Sequence, residues 1–214
     1  MDFLGVNAQL LGGFKYTLLI FFITLIAAIP LGLPIALGSM SRFKPLRWIS
    51  RAFVWVIRGT PLMLQIMVVF YVPGLVFGTP FRSRIIAVII AFIINYAAYF
   101  SEIYRGGIES IPAGQYEAGQ VLGLTKTQTF FKVVLFQVVK RIMPSITNEV
   151  VTLVKDTSMA FTVSYQEMFT IGKQIANSQT SFMPFLVAGV FYFVFNAIVD
   201  FVMGKIEKRM DYYK

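Results

Sequence analysis

Two carboxylates, Glu149 and Asp156, stand seven residues apart in the least hydrophobic of the chain's candidate membrane spans. In an α-helix this spacing puts both on the same side, two turns apart. Ionisable groups in such segments are costly and usually face a cavity or a partner. The pair could therefore bind the cationic group of a solute through charge-assisted hydrogen bonds. The alternative is that Lys155 or Arg141 pairs with these acids and holds neighbouring helices together.

Further polar side chains fall on the same helical face. At about 100° per residue, one arc contains Ser145, Asn148, Glu149, Thr152, Lys155, Asp156, Met159, Thr162 and Val163. The other arc contains Val150, Val151, Leu153, Val154 and Phe161. The candidate solute-binding residues are Glu149, Asn148, Thr152, Asp156 and Met159, with Gln65 from an earlier segment. Gln65 could instead bond to a neighbouring helix, and Glu102 is expected to pair with Arg105, three residues on.

A second group of residues points to a docking surface. Glu117, Ala118 and Gly119 are followed by Gly123, within a segment of about residues 105–144 between two apolar runs. The segment is too long for a simple connector, and its glycines would let another backbone approach closely. It is therefore expected to bind another protein. The alternative is an amphipathic hairpin that lies on the lipid surface.

Local signals predict the structure of this loop. A short helix is expected over about residues 115–122, with Glu117 on its polar face and Gly123 at its end. Thr125 is a plausible N-cap for a second helix over residues 126–139. Pro144 is expected to end that helix and to open the next membrane span.

Composition places the chain in a membrane. It is 57% hydrophobic and only 14% charged, whereas soluble domains carry about 25% charged residues. The net charge of +9 comes from basic residues beside apolar runs, so nucleic-acid binding is not expected. The sequence contains no Cys and no His, which excludes thiol chemistry and the usual transition-metal sites. It also lacks a G-x-x-x-x-G-K-[ST] phosphate-binding loop.

The apolar runs predict an all-α integral membrane protein with five transmembrane helices in a single domain, residues 1–214. The spans are expected at about 17–37, 61–77, 85–104, 145–165 and 184–204, with a loop at about 105–144. Fourteen Lys and Arg residues, Lys214 among them, then fall on one side of the membrane and four on the other. The positive-inside rule therefore predicts an outside N-terminus and a cytoplasmic C-terminus.

Several motifs together resemble the polar amino-acid permeases of the ABC transporter superfamily. They are Arg58-Gly59-Thr60-Pro61-Leu62 with Gln65; Glu102 to Ile108 with Ile111-Pro112; Glu117-Ala118-Gly119-x-x-x-Gly123; and Asn148, Leu153 and Lys155-Asp156-Thr157-Ser158. The resemblance covers about residues 14–204. Two positions depart from the family pattern: Gly119 replaces its second Ala, and Phe136 stands where the pattern has Pro.

The resemblance implies a type I importer permease in the inner membrane of a prokaryote. Glu117, Ala118, Gly119 and Gly123 would dock a separate ATPase that holds ATP and Mg²⁺, so this chain would need no cofactor and would not itself be an enzyme. A second permease chain, identical or a paralogue, and an extracytoplasmic solute-binding protein would complete the importer. The expected substrate is a basic amino acid: arginine, lysine or histidine. The alternative is a membrane anchor or signalling protein whose basic loop recruits a soluble partner.

Overall fold

A computed structural model describes residues 3–210, which contain helices and no strand. The α-helices are α1 Phe3–Ser39, α2 Lys44–Arg58, α3 Leu62–Phe77, α4 Arg84–Glu109, α5 Ala113–Val121, α6 Lys126–Thr129, α7 Leu135–Asp156, α8 Met168–Gln179 and α9 Met183–Arg209. A π-helical turn, Phe130–Val134, joins α6 to α7, and a 3₁₀ segment, Thr157–Val163, continues α7. The predicted all-α class is confirmed.

The core forms where α1 lies along α4, the most extensive helix–helix contact in the described residues. Buried aromatic side chains of α4, including Phe92, Tyr96 and Phe100, fill this contact. Gly32 allows the close approach, because a Cβ atom at that position would lie 2.9 Å from the Cβ atom of Phe100. The first predicted span lies within α1, which continues through Pro30 and Pro34 without interruption.

A sharp corner separates α2 from α3, whose axes differ in direction by 106°. Gly59 caps the end of α2, and Pro61 precedes the first residue of α3. Proline lacks a backbone N–H and disfavours helical geometry in the residue before it, so the chain breaks here. The predicted second span agrees closely with α3, whereas α2 and α8 are helices that the apolar pattern did not predict.

The predicted role of Pro144 is wrong. Helix α7 runs through this residue, so the second loop helix and the fourth predicted span form one continuous helical segment. Proline removes one backbone hydrogen bond and crowds the preceding turn. Here the turns on both sides are held by packing, since Val138 and Ile142 before Pro144 and Val150 after it are buried. Tertiary packing of this kind outweighs local propensity.

Within residues 3–210, three helical segments are long and apolar enough to cross a membrane: Gly5–Ser39, Arg84–Glu109 and Met183–Arg209. The bent pair α2–α3 would make a fourth. Helix α7 is not among these segments, because its charged and polar residues lower its hydropathy. The protein is thus a helical membrane protein, while five crossings and the orientation of the termini remain predictions. Lys214 lies outside the described residues.

Candidate functional site

The two predicted arcs of α7 separate clearly in the structure. On the apolar arc, Val150, Leu153 and Val154 are buried in the core. On the polar arc, Ser145, Asn148 and Lys155 are exposed, and Glu149, Thr152, Asp156 and Met159 are half-buried. The polar stripe is therefore at least partly accessible from Ser145 to Met159, whereas Val163 at its end is buried.

Asp156 is held by helix α4. The hydroxyl of Tyr96, itself buried in the core, donates a hydrogen bond to Asp156 Oδ2 at 2.8 Å. Among the described residues, Asp156 forms no ion pair with Lys155, although the two are adjacent. The carboxylate is therefore oriented by a neutral donor, and one of its oxygens is already occupied.

Glu149 lines a cavity of about 330 Å³ between α4 and α7. Arg58 and Tyr99 line the same cavity. In the part of the chain that the structure describes, Glu149 has no hydrogen bond and no ion pair within 4 Å, although the Arg58 guanidinium in the same cavity attracts its carboxylate from a longer distance. Arg141, the expected alternative partner, instead donates to the backbone carbonyl of Ser110. The Glu149 carboxylate is thus available to a ligand inside the cavity.

Arg58 reaches this cavity from the end of α2. Its guanidinium lies 3.8 Å from Glu102 and 5.1 Å from the centre of the Tyr99 ring. Glu102 also accepts a hydrogen bond from Arg105 Nε at 3.0 Å, which confirms the predicted Glu102–Arg105 pair. Arg58 was not among the predicted binding residues. Its place at the start of the Arg58-Gly59-Thr60-Pro61-Leu62 motif was the available clue.

Gln65 spans the α2–α3 corner. Its amide nitrogen donates to the carbonyl of Ile57 at 2.8 Å and to the hydroxyl of Thr60 at 2.9 Å. Its amide oxygen accepts from Asn95 Nδ2 of α4 at 3.0 Å. In this conformation the side chain therefore ties the corner to α4, as the alternative interpretation of Gln65 expected.

The docking residues lie in a packed loop. Glu117 and Ala118 are exposed on α5, whereas Gly119 is buried against Thr129. A Cβ atom at Gly119 would lie 2.4 Å from Thr129 Oγ1. Gly123 ends this turn with a φ of 74°, a backbone conformation that favours glycine. The Glu117 side chain therefore faces outward, while Gly119 brings α5 against α6.

Two predictions about this loop are confirmed. The expected helix at 115–122 corresponds to α5, Ala113–Val121. Thr125 caps α6, because its hydroxyl accepts a hydrogen bond from Gln128 N–H while the Gln128 side chain accepts from Thr125 N–H. At the end of α5, Val121 and Leu122 are 88% and 77% exposed. The outer surface thus combines a carboxylate with two unburied apolar side chains.

Glu167 was not among the predicted residues. It is fully buried and is the N-cap of α8. Its carboxylate accepts hydrogen bonds from the N–H groups of Phe169 and Thr170, at 2.7 and 2.6 Å, and from the hydroxyls of Thr170 and Tyr192, at 2.8 and 3.0 Å. Burial raises the pKa of Glu167, and these donors act in the opposite direction. Glu167 thus joins α8 to α9. In the sequence, the only local signal of this role is that Glu167 stands three positions before Thr170, the spacing of an N-cap and the N–H group it accepts from.

Comparison with known proteins identifies the family. Residues 28–212 match the family described as binding-protein-dependent transport system inner membrane component. The chain belongs to this family. The L-cystine transport system permease protein TcyB of Bacillus subtilis (strain 168) is 36% identical over 94% of this chain and 86% of its own length. The arginine transport system permease protein ArtQ of the same organism is 32% identical over 98% of this chain and 97% of its own.

Solved structures support the same conclusion. The crystal structure of an amino acid ABC transporter with histidines has a chain that is 28% identical to this one, with a TM-score of 0.89. The similarity covers 98% of this chain and 99% of that chain. The resemblance inferred from the motifs is therefore confirmed. As an inner membrane component, the protein presents the polar face of α7 and the packed loop α5–α6 as its two candidate sites.

Proposed function

We propose that this chain is the permease subunit of an ATP-driven importer of polar amino acids with cationic side chains: arginine, lysine or histidine. The broader assignment to importers of amino acids is supported by two similar permeases, one named for L-cystine transport and one for arginine transport. The narrower choice of basic substrates rests on one observation, the unpaired Glu149 carboxylate in a cavity. A cationic side chain that loses water needs such a compensating charge.

The polar stripe offers complementary groups for the rest of an amino acid. Asn148 and Thr152 are accessible beside Glu149 and could donate hydrogen bonds to the carboxylate of the substrate. Asp156, oriented by Tyr96, offers a second negative charge two turns along the helix. Met159 would form an apolar wall of the site. Gln65 would contact the substrate only if its side chain gave up its hydrogen bonds at the α2–α3 corner and to Asn95.

Coupling would occur through the α5–α6 loop. We infer that a separate ATPase, which holds ATP and Mg²⁺, docks on Glu117 and Ala118, while Gly119 and Gly123 shape that surface. A second permease chain, identical or a paralogue, would supply the other half of the pathway. An extracytoplasmic solute-binding protein would deliver the amino acid. Family membership does not favour the alternative of a membrane anchor that moves no solute.

The substrate proposal is tested by Glu149→Gln, which keeps the shape of the side chain and removes its charge. Uptake of arginine and of glutamine is measured in proteoliposomes that contain the complete importer. Loss of a charged partner costs on the order of 2 kcal/mol, or about thirtyfold. Arginine uptake should therefore fall about thirtyfold, and glutamine uptake should fall much less.

Glu207→Gln is the matched control, because Glu207 lies near the end of α9 and does not line the cavity. This variant should transport both amino acids normally. Equal losses of arginine and glutamine uptake in Glu149→Gln would show that Glu149 is structural. A wild-type importer that prefers neutral or acidic amino acids would refute the basic-substrate proposal and leave the permease assignment intact.

A further inference from the structure

Helix α2 has two chemically distinct faces. Its four basic residues, Lys44, Arg47, Arg51 and Arg58, fall within one narrow stripe of the helical surface. The opposite face is apolar and includes Ile49 and Val56, which are 60% and 50% exposed. A helix of this kind, with a basic face and an exposed apolar face, typically lies in a membrane interface.

The fold places α2 at such an interface. Helix α1 is a long apolar segment that ends at Ser39, and α2 begins five residues later at Lys44. After α2 the chain turns by 106° into the apolar helix α3. If α3 runs into the bilayer, a turn of this size lays α2 close to the membrane plane. Trp48 and Trp55 lie beside the basic stripe, 72% and 79% exposed, and tryptophan is enriched at the headgroup level of membranes.

The basic stripe borders a cavity of about 1030 Å³ between the end of α1, α2 and α4. Five cations line it, Lys44, Arg47, Arg51, Arg58 and Arg105, but only one carboxylate, Glu102. Arg58 and Arg105 already share that carboxylate.

Lys44, Arg47 and Arg51 therefore form no ion pair in the described part of the chain, and Arg51 is attracted only at longer range by the Glu102 carboxylate that Arg58 and Arg105 already share. Arg51 is nevertheless positioned, because its Nε donates to the Ser39 carbonyl at 3.1 Å. The cavity thus holds a surplus of fixed positive charge.

We propose that this cavity binds the headgroup of an anionic phospholipid from the adjoining leaflet. The phosphate would accept charge-assisted hydrogen bonds from Arg47 and Arg51, which suit phosphate geometry. The acyl chains would pass beside the two indoles, which flank the basic stripe at the headgroup level, toward the apolar side of α2. Charge complementarity favours this ligand over a second protein chain, because the surface combines unpaired cations with an apolar face at the membrane boundary.

The chain supplies its own probe, because Trp48 and Trp55 are its only tryptophans. The full-length protein is reconstituted in liposomes of phosphatidylcholine and phosphatidylglycerol, and quenching of its tryptophan fluorescence is measured. In one arm the phosphatidylglycerol carries brominated acyl chains, and in the other arm the phosphatidylcholine carries them at the same mole fraction. Brominated phosphatidylglycerol should quench more strongly, and high salt should reduce the difference, because salt screens exposed charges.

The variant Arg47→Gln/Arg51→Gln keeps both tryptophans and removes two cations. One basic residue near an anionic surface changes lipid association about fivefold, so the preference for phosphatidylglycerol should fall roughly tenfold or more. Brominated phosphatidylcholine should still quench the variant, which verifies that α2 remains in the interface. Lys208→Gln/Arg209→Gln, at the end of α9, is the control with the same change in net charge and should keep the preference.

Equal quenching of the wild-type protein in both arms would overturn the proposal. So would a preference that survives Arg47→Gln/Arg51→Gln. Absence of quenching in either arm would show that protein, such as a second copy of this chain, covers α2 instead of lipid, and would overturn the proposal as well.

Discussion

Glu149 and Asp156 differ in what they contact, although they lie two turns apart on one helix. Asp156 accepts a hydrogen bond from a buried tyrosine, whereas Glu149 faces a cavity in which it has no hydrogen bond and only a longer-range attraction to Arg58. A buried or half-buried charge without a partner is costly. We therefore expect Asp156 to be fixed before the solute arrives and Glu149 to gain its partner from the solute.

At the same scale, Glu167→Gln should destabilise the protein. The substitution puts an amide NH₂ where a carboxylate oxygen now accepts hydrogen bonds, so two donors would face each other. Leaving buried donors unsatisfied costs about 2 kcal/mol. The free energy of unfolding, measured in detergent with a denaturant, should fall by about that amount. Glu109→Gln, which affects an exposed ion pair with Arg105, should change it by less than about 1 kcal/mol. Similar effects of the two variants would contradict the role assigned to Glu167.

At the scale of elements, local signals predicted local structure. The Thr125 cap depends on Gln128, three residues away, and the helix α5 depends on residues within its own turn and the glycine after it. The polar stripe of α7 likewise followed from helical periodicity alone. These parts of the fold and the site were therefore predictable from the sequence.

Other features depend on residues that are distant in the sequence. Helix α7 continues through Pro144 because neighbouring turns pack against other helices, and no local pattern encodes that packing. The bond between Tyr96 and Asp156 joins residues sixty positions apart. Arg58 reaches the cavity because α2 packs against α4. Each of these required the tertiary arrangement, which periodicity and turn signals do not specify.

The packed loop makes a prediction about Gly119. A Cβ atom there would lie 2.4 and 2.5 Å from the Oγ1 and Cγ2 atoms of Thr129, so Gly119→Ala should push α5 away from α6. The family pattern has Ala at this position, but in this fold the Thr129 side chain fills the space that the Ala methyl group would need. Binding of the proposed ATPase and transport-coupled hydrolysis should therefore fall, by about tenfold if the displacement costs about 1.4 kcal/mol.

The matched control for this experiment is Gly114→Ala on the same helix, where a Cβ atom would meet nothing within 4 Å. Thr129→Ala combined with Gly119→Ala removes the two closest atoms and should restore part of the coupling. Normal binding of the ATPase by Gly119→Ala would show that the α5–α6 contact does not shape the docking surface.

At the scale of the whole molecule, the distribution of charge predicts the orientation in the membrane. The chain contains no cysteine, so a single cysteine placed at Gly78 provides a clean label in the turn after α3. An impermeant thiol reagent applied from outside the cell should label it, and a reporter fused after Lys214 should be cytoplasmic. A cysteine at Gly123 is the control for the opposite side and should be protected until the membrane is opened. An outside C-terminus would refute the five-span orientation.

From Lys126 to Val163 the helical segments follow one another without a loop, so a movement at the contact between Gly119 and Thr129 is passed along α7 to the polar stripe. Glu149 lies twenty residues beyond Thr129, or about 30 Å along the helix axis. A tilt of roughly 6° about Thr129 would then move Glu149 sideways by about 3 Å, the length of one hydrogen bond. A partner protein that tilts the loop by so small an angle would therefore be enough to form or to break the proposed contact between Glu149 and a solute.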